Sequence, residues 1–234
     1  RNIQRVIMIN LNIQIEDLIS KNASDFEISK VFKTYYKNYL ASIDTTVETT
    51  GGKDFFIKHT KHTDKFLILL YKYILRKNFA SHQPMSSSIP ISLVALGSYG
   101  REQLCIYSDI DIMLLYENVK GYNLKNIMEE FITLAWDCGL KLGSRVHELR
   151  EISDAVKEDI TIKSSILESR LIYGSKNLWF GYQNVLSKIR KTNQKEFVLD
   201  KLEEHKQRLM KYPLKMEPNI KDGYGGIRES NMMY

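Results

Sequence analysis

Hydrophobic residues recur at intervals of three and four along both ends of this chain, which is the spacing of one buried face of a helix. In one segment the positions that follow this spacing are Phe66, Leu69, Leu70, Tyr73 and Ile74. The pattern predicts helices on either side of a central stretch, at 24–45, 54–80, near 153–173, 175–191 and 194–211. The polar segment at 45–54, between the first two, predicts a loop.

Between residues 91 and 149 the pattern changes to short apolar runs, which are typical of buried strands. Runs at 91–96 and 110–116 predict two strands, and 141–149 predicts a third. Residues 123–139 are amphipathic with a helical period that ends at Gly139. This order predicts an α+β fold, with a small mixed sheet flanked by N-terminal and C-terminal helical segments.

The segment at 81–90 interrupts the hydrophobic pattern most clearly, because it carries two prolines and four serines. It predicts a linker between a helical N-terminal region, residues 1–85, and a core region at 86–152. The third predicted region, 153–234, is helical. Its end is punctuated by Pro213 and Pro218 and closes in a glycine-rich loop.

The composition indicates an ordinary globular protein, with 43% hydrophobic and 26% charged residues in 234. No apolar run is long enough to cross a membrane. Cys105 and Cys138 form no metal-binding pair and are typical of free thiols in a reducing cytoplasm. The net charge of +6 is spread along the chain without an arginine-rich tract, which favours a solvated basic surface over a nucleic-acid partner.

Two aspartates stand at the beginning of the second apolar run, where a strand enters the core. Asp109 and Asp111 are two residues apart, so in a strand both carboxylates point to the same side. Like charges this close raise each other's pKa unless a cation lies between them. Mg²⁺ is the cation that one or two carboxylates plus phosphate oxygens bind in proteins, so the pair predicts a magnesium site.

A short glycine-containing segment links the first two apolar runs. Gly97 and Ser98 follow the first run directly, and Gly100 and Arg101 come next. A glycine here allows backbone N–H groups to approach a phosphate, Ser98 offers a hydroxyl, and Arg101 offers a forked donor. Together with the two aspartates, the segment predicts a site for a metal-bound nucleoside triphosphate.

A strand, a glycine–serine turn and a D-x-D pair on the next strand resemble the DNA polymerase β-type nucleotidyltransferases. Four longer motifs resemble one branch, the bacterial PII uridylyltransferase/uridylyl-removing enzymes. These are GSYGREQLCIYSDIDIMLLY (97–116), the W-D-x-G-x-x-x-G run from Trp136 to Gly143, DITIKSSILESRLIYG (159–174) and EPNIKDGYGGIRE (217–229). The resemblance covers roughly residues 51–234. Two positions depart from the branch: Ser98 replaces a frequent glycine, and Tyr224 replaces a common proline.

The resemblance implies a polymerase β-like core that transfers a nucleoside monophosphate, with two Mg²⁺ ions and release of pyrophosphate. The donor in the family is UTP, and the acceptor is a tyrosine hydroxyl of the nitrogen-signalling protein PII. Full-length members continue into an HD-type hydrolase domain and two ACT domains. We therefore expect this chain to be part of a longer protein.

The resemblance also implies roles for individual residues. Gly97 and Ser98 would hold the triphosphate, with Arg101 as a further phosphate contact, and Asp109 and Asp111 would bind the metal. In the last motif the matching residues are Asn219, Lys221, Gly225, Gly226 and Arg228. Of these, Lys221 and Arg228 suit a flexible loop that closes on phosphate.

A third carboxylate is usual in polymerase β-like sites, and several acids are candidates here. Glu148 lies in the predicted third strand, whereas Asp159 and Glu168 match motifs of the branch. Glu168 is alternatively explained by an ion pair with Arg170, and it is also open that none of the three serves. The rival functions are a related enzyme that modifies RNA or a small molecule, and a non-catalytic nucleotide-binding module.

The five histidines are scattered and predict no zinc site. His59 and His62 are three residues apart within a predicted helix. A solvated helix face explains this pair.

Overall fold

The computed structural model describes residues 2–50, 52–79, 85, 88–211 and 219–232. Most of the predicted linker and the prolines at 213 and 218 lie outside these residues. The described helices, in chain order, are α1 (Asn2–Ser20), α2 (Asp25–Thr50), α3 (Lys53–Phe79), α4 (Gly97–Gly100), α5 (Leu124–Asp137), α6 (Ile152–Glu158), α7 (Ile160–Leu167), α8 (Lys176–Lys191), α9 (Gln194–Lys211) and α10 (Ile227–Met232). None of the described helices is long and apolar enough to span a membrane.

The sheet has four strands: β1 (Ile91–Ala95), β2 (Ile110–Tyr116), β3 (Leu142–Glu148) and β4 (Arg170–Gly174). Their spatial order is β3-β2-β1-β4. β1 is antiparallel to β2 and to β4, whereas β2 and β3 are parallel. The prediction of an α+β fold with a small mixed sheet is therefore confirmed.

The prediction of one helix near 153–173 was wrong at its C-terminal end. This segment forms α6 and α7 and then strand β4, which pairs antiparallel with β1. The five residues of β4 include Leu171, Ile172 and Tyr173, and a short run of this kind does not distinguish a strand from a buried helical turn. Pairing with β1 decides the conformation, and this pairing is not visible in the local sequence.

The loop predicted at 45–54 was also wrong over its first half, because α2 continues to Thr50. Threonine and valine cost a helix only a few tenths of a kcal/mol each, so an established helix extends through them. The next described residue, Gly52, has a φ angle of +98°, which ends the helical path, and α3 begins at Lys53.

The sheet is covered on both faces, which explains the continuous apolar sequence of β2. Ile112 and Leu114 face one cluster, which includes residues of α1, α2, α3 and α5. Met113 and Leu115 face a second cluster, formed with residues of α6, α7 and α8. Because alternate residues of β2 are buried on opposite sides, only the ends and the outer strands of the sheet can present polar side chains to a ligand.

The two histidines of α3 are buried, so the prediction of a solvated helix face was wrong. His59 is 2% exposed and His62 6% exposed. The Tyr39 hydroxyl lies 2.9 Å from His59 Nδ1, and the Tyr35 hydroxyl lies 3.1 Å from His62 Nε2. Burial lowers the pKa of His59 to about 4, and burial together with the charges of His59 and Lys65 lowers that of His62 to about 3. The pair is therefore part of the α2–α3 interface.

This interface predicts a loss of stability in mild acid. The two histidines are neutral in the folded protein at pH 5 but take up protons in the unfolded chain below its pKa of 6.5. The free energy of unfolding should therefore be constant above pH 7. As pH falls from 6.5 towards 4 it should drop by up to about 1.4 kcal/mol per pH unit for each histidine. Urea unfolding at pH 7.5, 6.0 and 5.0 measures this. A His59→Gln, His62→Gln double variant that keeps the full slope would contradict the assignment.

Candidate active site

The aspartate pair lies where β2 begins. Asp109 immediately precedes the strand, and Asp111 is the second residue of the strand. Asp111 is exposed, whereas the residues on either side of it are buried. The main chain of this segment is held on both sides: the Leu96 N–H donates to the Asp111 carbonyl at 2.9 Å, and the Ile110 N–H donates to the Lys141 carbonyl at 2.7 Å. The carboxylates are thus presented from a rigid strand end rather than from a mobile loop.

One acidic and two basic side chains act on the charge of Asp111. Asp111 is exposed on the strand, yet neighbouring protein atoms cover part of its side chain. This partial burial, with the negative charge of Asp109, raises the pKa of Asp111. The positive charges of Arg145 and Lys221 act in the opposite direction. The structure therefore brings Asp109, Asp111 and Lys221 together, three of the residues that the sequence analysis singled out, and adds Arg145.

Two glycines provide the space in which the Asp111 carboxylate lies. A Cβ atom on Gly143, which pairs with Asp111 across the β2–β3 ladder, would come within 2.5 Å of Asp111 Oδ1. A Cβ atom on Gly97 would lie 3.9 Å from Asp111 Oδ2. Gly97 also has a φ angle of +54°, which side chains disfavour. A side chain at position 143 would displace the carboxylate, and this explains the last glycine of the W-D-x-G-x-x-x-G motif.

The glycine–serine turn forms the first residues of the short helix α4. Gly97 and Ser98 are its first two positions, and the leading N–H groups of a helix have no acceptor within it. The Gly100 and Arg101 N–H groups, in contrast, donate to the Leu96 and Gly97 carbonyls, both at 3.0 Å. The Gly97 and Ser98 amides therefore have no acceptor within α4, and Gly97 lies next to the Asp111 carboxylate.

A partly buried ion pair that the sequence analysis did not identify holds this turn in place. Asp64 of α3 accepts a hydrogen bond of 2.7 Å from the Tyr99 hydroxyl, and Arg170 of β4 donates two hydrogen bonds to its carboxylate at 2.9 and 3.0 Å. Burial, together with the negative charge of Asp64, raises the pKa of Tyr99 well above its usual value. Because Tyr99 lies within α4, the pair fixes the turn to both the helical region and the sheet. A lone acidic residue in a helix and an arginine in an unpredicted strand gave no sequence signal for it.

Arg101 is engaged by protein groups in this structure. Its guanidinium forms an ion pair with Glu168, the residue that follows α7, and its Nε donates to Gln103 Oε1 at 3.2 Å. The expected pair between Glu168 and Arg170 does not form, since Arg170 binds Asp64. Gly100 supports this contact, because a Cβ atom there would lie 1.8 Å from the Glu168 carbonyl oxygen. A phosphate contact by Arg101 requires it to leave or share Glu168.

The glycine-rich segment near the C-terminus folds into a compact turn rather than the flexible loop that we expected. Asn219 Oδ1 accepts from the N–H groups of Lys221 and Asp222, at 3.0 and 2.8 Å. A Cβ atom on Gly223 would lie 2.6 Å from the Asn219 carbonyl oxygen, and one on Gly226 would lie 2.8 Å from that of Gly223. The glycines thus allow close packing of the chain on itself, and this packing presents Lys221.

Lys221 and Arg228 have different surroundings. Lys221 is exposed and its charge acts on Asp111. Arg228 forms an ion pair of 3.1 Å with Asp222, a carboxylate that is 15% exposed. Lys221 therefore adds positive charge at the candidate site, whereas Arg228 holds the turn together in this state.

None of the three candidates for the third carboxylate completes a cluster with the pair. Glu148 pairs in register with Tyr116, at the far end of β2, and forms an ion pair of 2.9 Å with Arg150. Asp159 caps α7 and accepts hydrogen bonds from Thr161, which lower its pKa. Glu168 binds Arg101. Within the described part of the chain no group of three His, Cys, Asp or Glu side chains could hold a metal ion.

The residues that are present nevertheless fit magnesium. Asp109 and Asp111 supply hard oxygen donors, and the space left by Gly97 and Gly143 keeps Asp111 free of bulky neighbours. Mg²⁺ is commonly bound by one or two carboxylates, with water and substrate phosphates as the other ligands. A two-carboxylate site next to unpaired amides and Lys221 matches this pattern without a third acid.

Comparison with known proteins gives a family model and several similar enzymes. A family model described as GlnD PII-uridylyltransferase matches residues 196–234. A bifunctional uridylyltransferase/uridylyl-removing enzyme of Nitrosococcus oceani is 36% identical over 146 residues, which is 61% of this chain and 16% of that enzyme. The enzyme of the same name from Ectopseudomonas mendocina is 37% identical over 147 residues, and that from Methylococcus capsulatus is 34% identical over 146.

The chain is similar to the uridylyltransferase/uridylyl-removing enzymes over this region. The resemblance inferred from the motifs is thus confirmed. The matched region of this chain spans 16 to 17% of the length of these curated relatives. The family model covers α9, the compact glycine turn and α10, and so includes Lys221 and Arg228.

Proposed function

We propose that this uridylyltransferase relative is a magnesium-dependent nucleotidyltransferase that moves UMP from UTP onto a hydroxyl group of a PII-type regulatory protein. The observation that carries the proposal is the meeting of Asp111, the Gly97 turn and Lys221 at one end of the sheet. Uridine as the base is inferred from the names of the similar enzymes, and PII as the acceptor is inferred from the matching family model.

We further propose that the sheet is the core of a polymerase β-like catalytic fold. In support, β1 leads into a glycine–serine turn, and the antiparallel neighbour β2 begins with the D-x-D pair. In this proposal the amides of α4 and the ammonium group of Lys221 hold the triphosphate. Arg145, on β3, adds positive charge on the face where Asp111 lies.

The reaction would be an in-line displacement at the α-phosphorus. The acceptor hydroxyl loses its proton to solvent as its oxygen forms a bond to the α-phosphorus, the bond from phosphorus to the bridging oxygen breaks, and pyrophosphate leaves. Asp109 and Asp111 would hold magnesium, which when bound supplies positive charge to the reacting phosphate oxygens. The positioned charges of Lys221 and Arg145 would lower the barrier by the same electrostatic principle.

A transfer assay tests the proposal. The chain is incubated with Mg²⁺ and UTP labelled at the α-phosphate, and with a purified PII-type protein, RNA or an aminoglycoside as acceptor. We expect label on the PII-type protein and no labelling when the metal is chelated. Transfer from ATP and CTP should be weaker. Calorimetry of UTP binding runs in parallel.

The rival functions predict different outcomes of the same assay. Label on RNA or on the aminoglycoside would move the chain to another branch of nucleotidyltransferases. UTP binding with no transfer to any acceptor would indicate a non-catalytic regulatory module.

A further inference from the structure

One edge of the sheet is open at the candidate site. β3 is the outermost strand on its side, and within the described chain no other strand pairs with it. The Lys141 carbonyl accepts a hydrogen bond from the Ile110 N–H, so the main chain of residue 141 points towards β2. The main-chain N–H and C=O groups of residues 143, 145 and 147 therefore also point towards β2. Because successive residues alternate, the main-chain N–H and C=O groups of Leu142, Ser144 and Val146 point away from β2.

A hydrogen bond from Trp136 supports this orientation of the β3 main chain. The Trp136 Nε1–H donates to the Leu142 carbonyl at 3.4 Å, so that carbonyl is turned away from β2. The outward N–H and C=O groups of Ser144 and Val146 follow it along the strand. Natural edge strands usually carry prolines, bulges or very short runs that block further pairing. β3 has no proline, and its register with β2 is continuous from Leu142 to Glu148.

The Asp111 carboxylate leans over β3, towards this open edge. Gly143 is the residue that pairs with Asp111, and a Cβ atom on it would meet Asp111 Oδ1 at 2.5 Å. Because Gly143 has no side chain, nothing on β3 stands between the carboxylate and a group that arrives from the edge at this level. A strand added to β3 would lie about 4.8 Å beyond it.

We infer that the acceptor protein binds as an extended segment that pairs with the open edge of β3. Its main chain bonds the outward groups of Ser144 and Val146, and its hydroxyl-bearing residue lies opposite Gly143, on the face of Asp111. This inference rests on the proposed transferase function and adds the mode of acceptor recognition. Strand addition supplies main-chain hydrogen bonds, and alternate side chains supply selectivity.

The two faces of β3 set the chemistry that the segment needs. Arg145 shares the face of Gly143, so an acidic residue near the hydroxyl is favoured there. On the opposite face Val146 is 44% exposed and Trp136, at the end of α5, is 56% exposed. The segment should therefore alternate, with its hydroxyl and acidic residues towards Asp111 and apolar residues towards Val146 and Trp136.

Val146→Pro tests the inference, because it removes an outward N–H without removing a bond to β2. Proline is tolerated in an edge strand when its nitrogen faces away from the sheet. We expect the KM for a purified PII-type acceptor to rise roughly tenfold, the effect of one or two lost hydrogen bonds. UTP affinity should stay unchanged. Val146→Ala, which keeps the N–H, is the matched control and should shift KM less than about threefold.

Hydrogen exchange provides a test that needs no variant of β3. Adding the PII-type protein and UTP should slow exchange of the Ser144 and Val146 amides. Transfer by the wild-type chain with an unchanged acceptor KM in Val146→Pro, or without protection of these amides, would overturn the inference. Protection that grows with the concentration of this chain alone would also overturn it, because a second copy would then occupy the edge. A wild-type chain that transfers nothing counts against the proposed function, while the exchange experiment still decides the inference.

Discussion

Replacing Asp111 with asparagine should reduce nucleotide transfer on the order of 10³-fold. Asparagine has the same shape but no charge, so it loses the affinity for a divalent cation that a carboxylate provides. Asp111 is the better placed of the two aspartates, because Gly97 and Gly143 leave room around it and Lys221 lies near it. Transfer of UMP to a PII-type protein under saturating UTP measures the loss.

The same variant should leave the fold intact. Burial and the charge of Asp109 raise the pKa of Asp111, which means that the folded protein without metal opposes its ionisation. Removing the charge should leave the melting temperature unchanged or slightly higher. Added Mg²⁺ should raise the melting temperature of the wild type but not that of the variant. Asp154→Asn, an exposed carboxylate of α6, is the control and should behave as wild type. Retained transfer by the Asp111→Asn variant would contradict the site assignment.

The parts of this site that the sequence predicted are the parts with local causes. The apolar run of β2 and the D-x-D pair at its start follow from residues that are adjacent in the chain, and the structure has the strand at the predicted position. The glycine–serine turn likewise lies directly after β1. The second glycine of the tryptophan motif now has a reason, since position 143 must leave space for Asp111.

The parts that the sequence did not predict depend on pairing between distant segments. β4 is a strand because β1 is available as its partner, and the local residues of β4 do not require it. Its first residue then becomes the partner of Asp64, 106 positions earlier in the chain. Glu148 looked suitable as a third acid from its strand alone. The parallel register moves it to the far end of β2 from Asp111, and no periodicity in the sequence contains this register.

We expect the largest effect on stability from the substitution of Asp64. Its carboxylate accepts hydrogen bonds from the Tyr99 hydroxyl and from both terminal nitrogens of Arg170. The side chains of Asp64 and Arg170 are only 15% and 24% exposed. Removing one member of a buried pair leaves the other charge without compensation, which costs about 3–5 kcal/mol when burial is complete. Because both groups retain some solvent contact, we expect Asp64→Ala to lower the free energy of unfolding by about 3 kcal/mol.

A double-mutant cycle of Asp64→Leu, Arg170→Met and the double variant separates the ion pair from the packing around it. Arg170→Met alone leaves Asp64 with the Tyr99 hydroxyl as its remaining partner, so it should cost less than Asp64→Ala. The double variant Asp64→Leu, Arg170→Met places apolar groups of similar size on both sides. It should recover a large share of the lost stability, because replacing both partners avoids a buried unpaired charge. Urea unfolding at pH 7.5 measures all members of the cycle.

A surface pair provides the comparison for this cycle. Asp154 and Lys157 form an ion pair of 2.8 Å on α6, with both side chains more than 70% exposed. Asp154→Ala should change the free energy of unfolding by less than about 0.5 kcal/mol. An Asp64→Ala variant that loses no more than this would show that the pair does not hold the turn. In that case the packing of the sheet, and not the contact between Tyr99 and Asp64, would position α4.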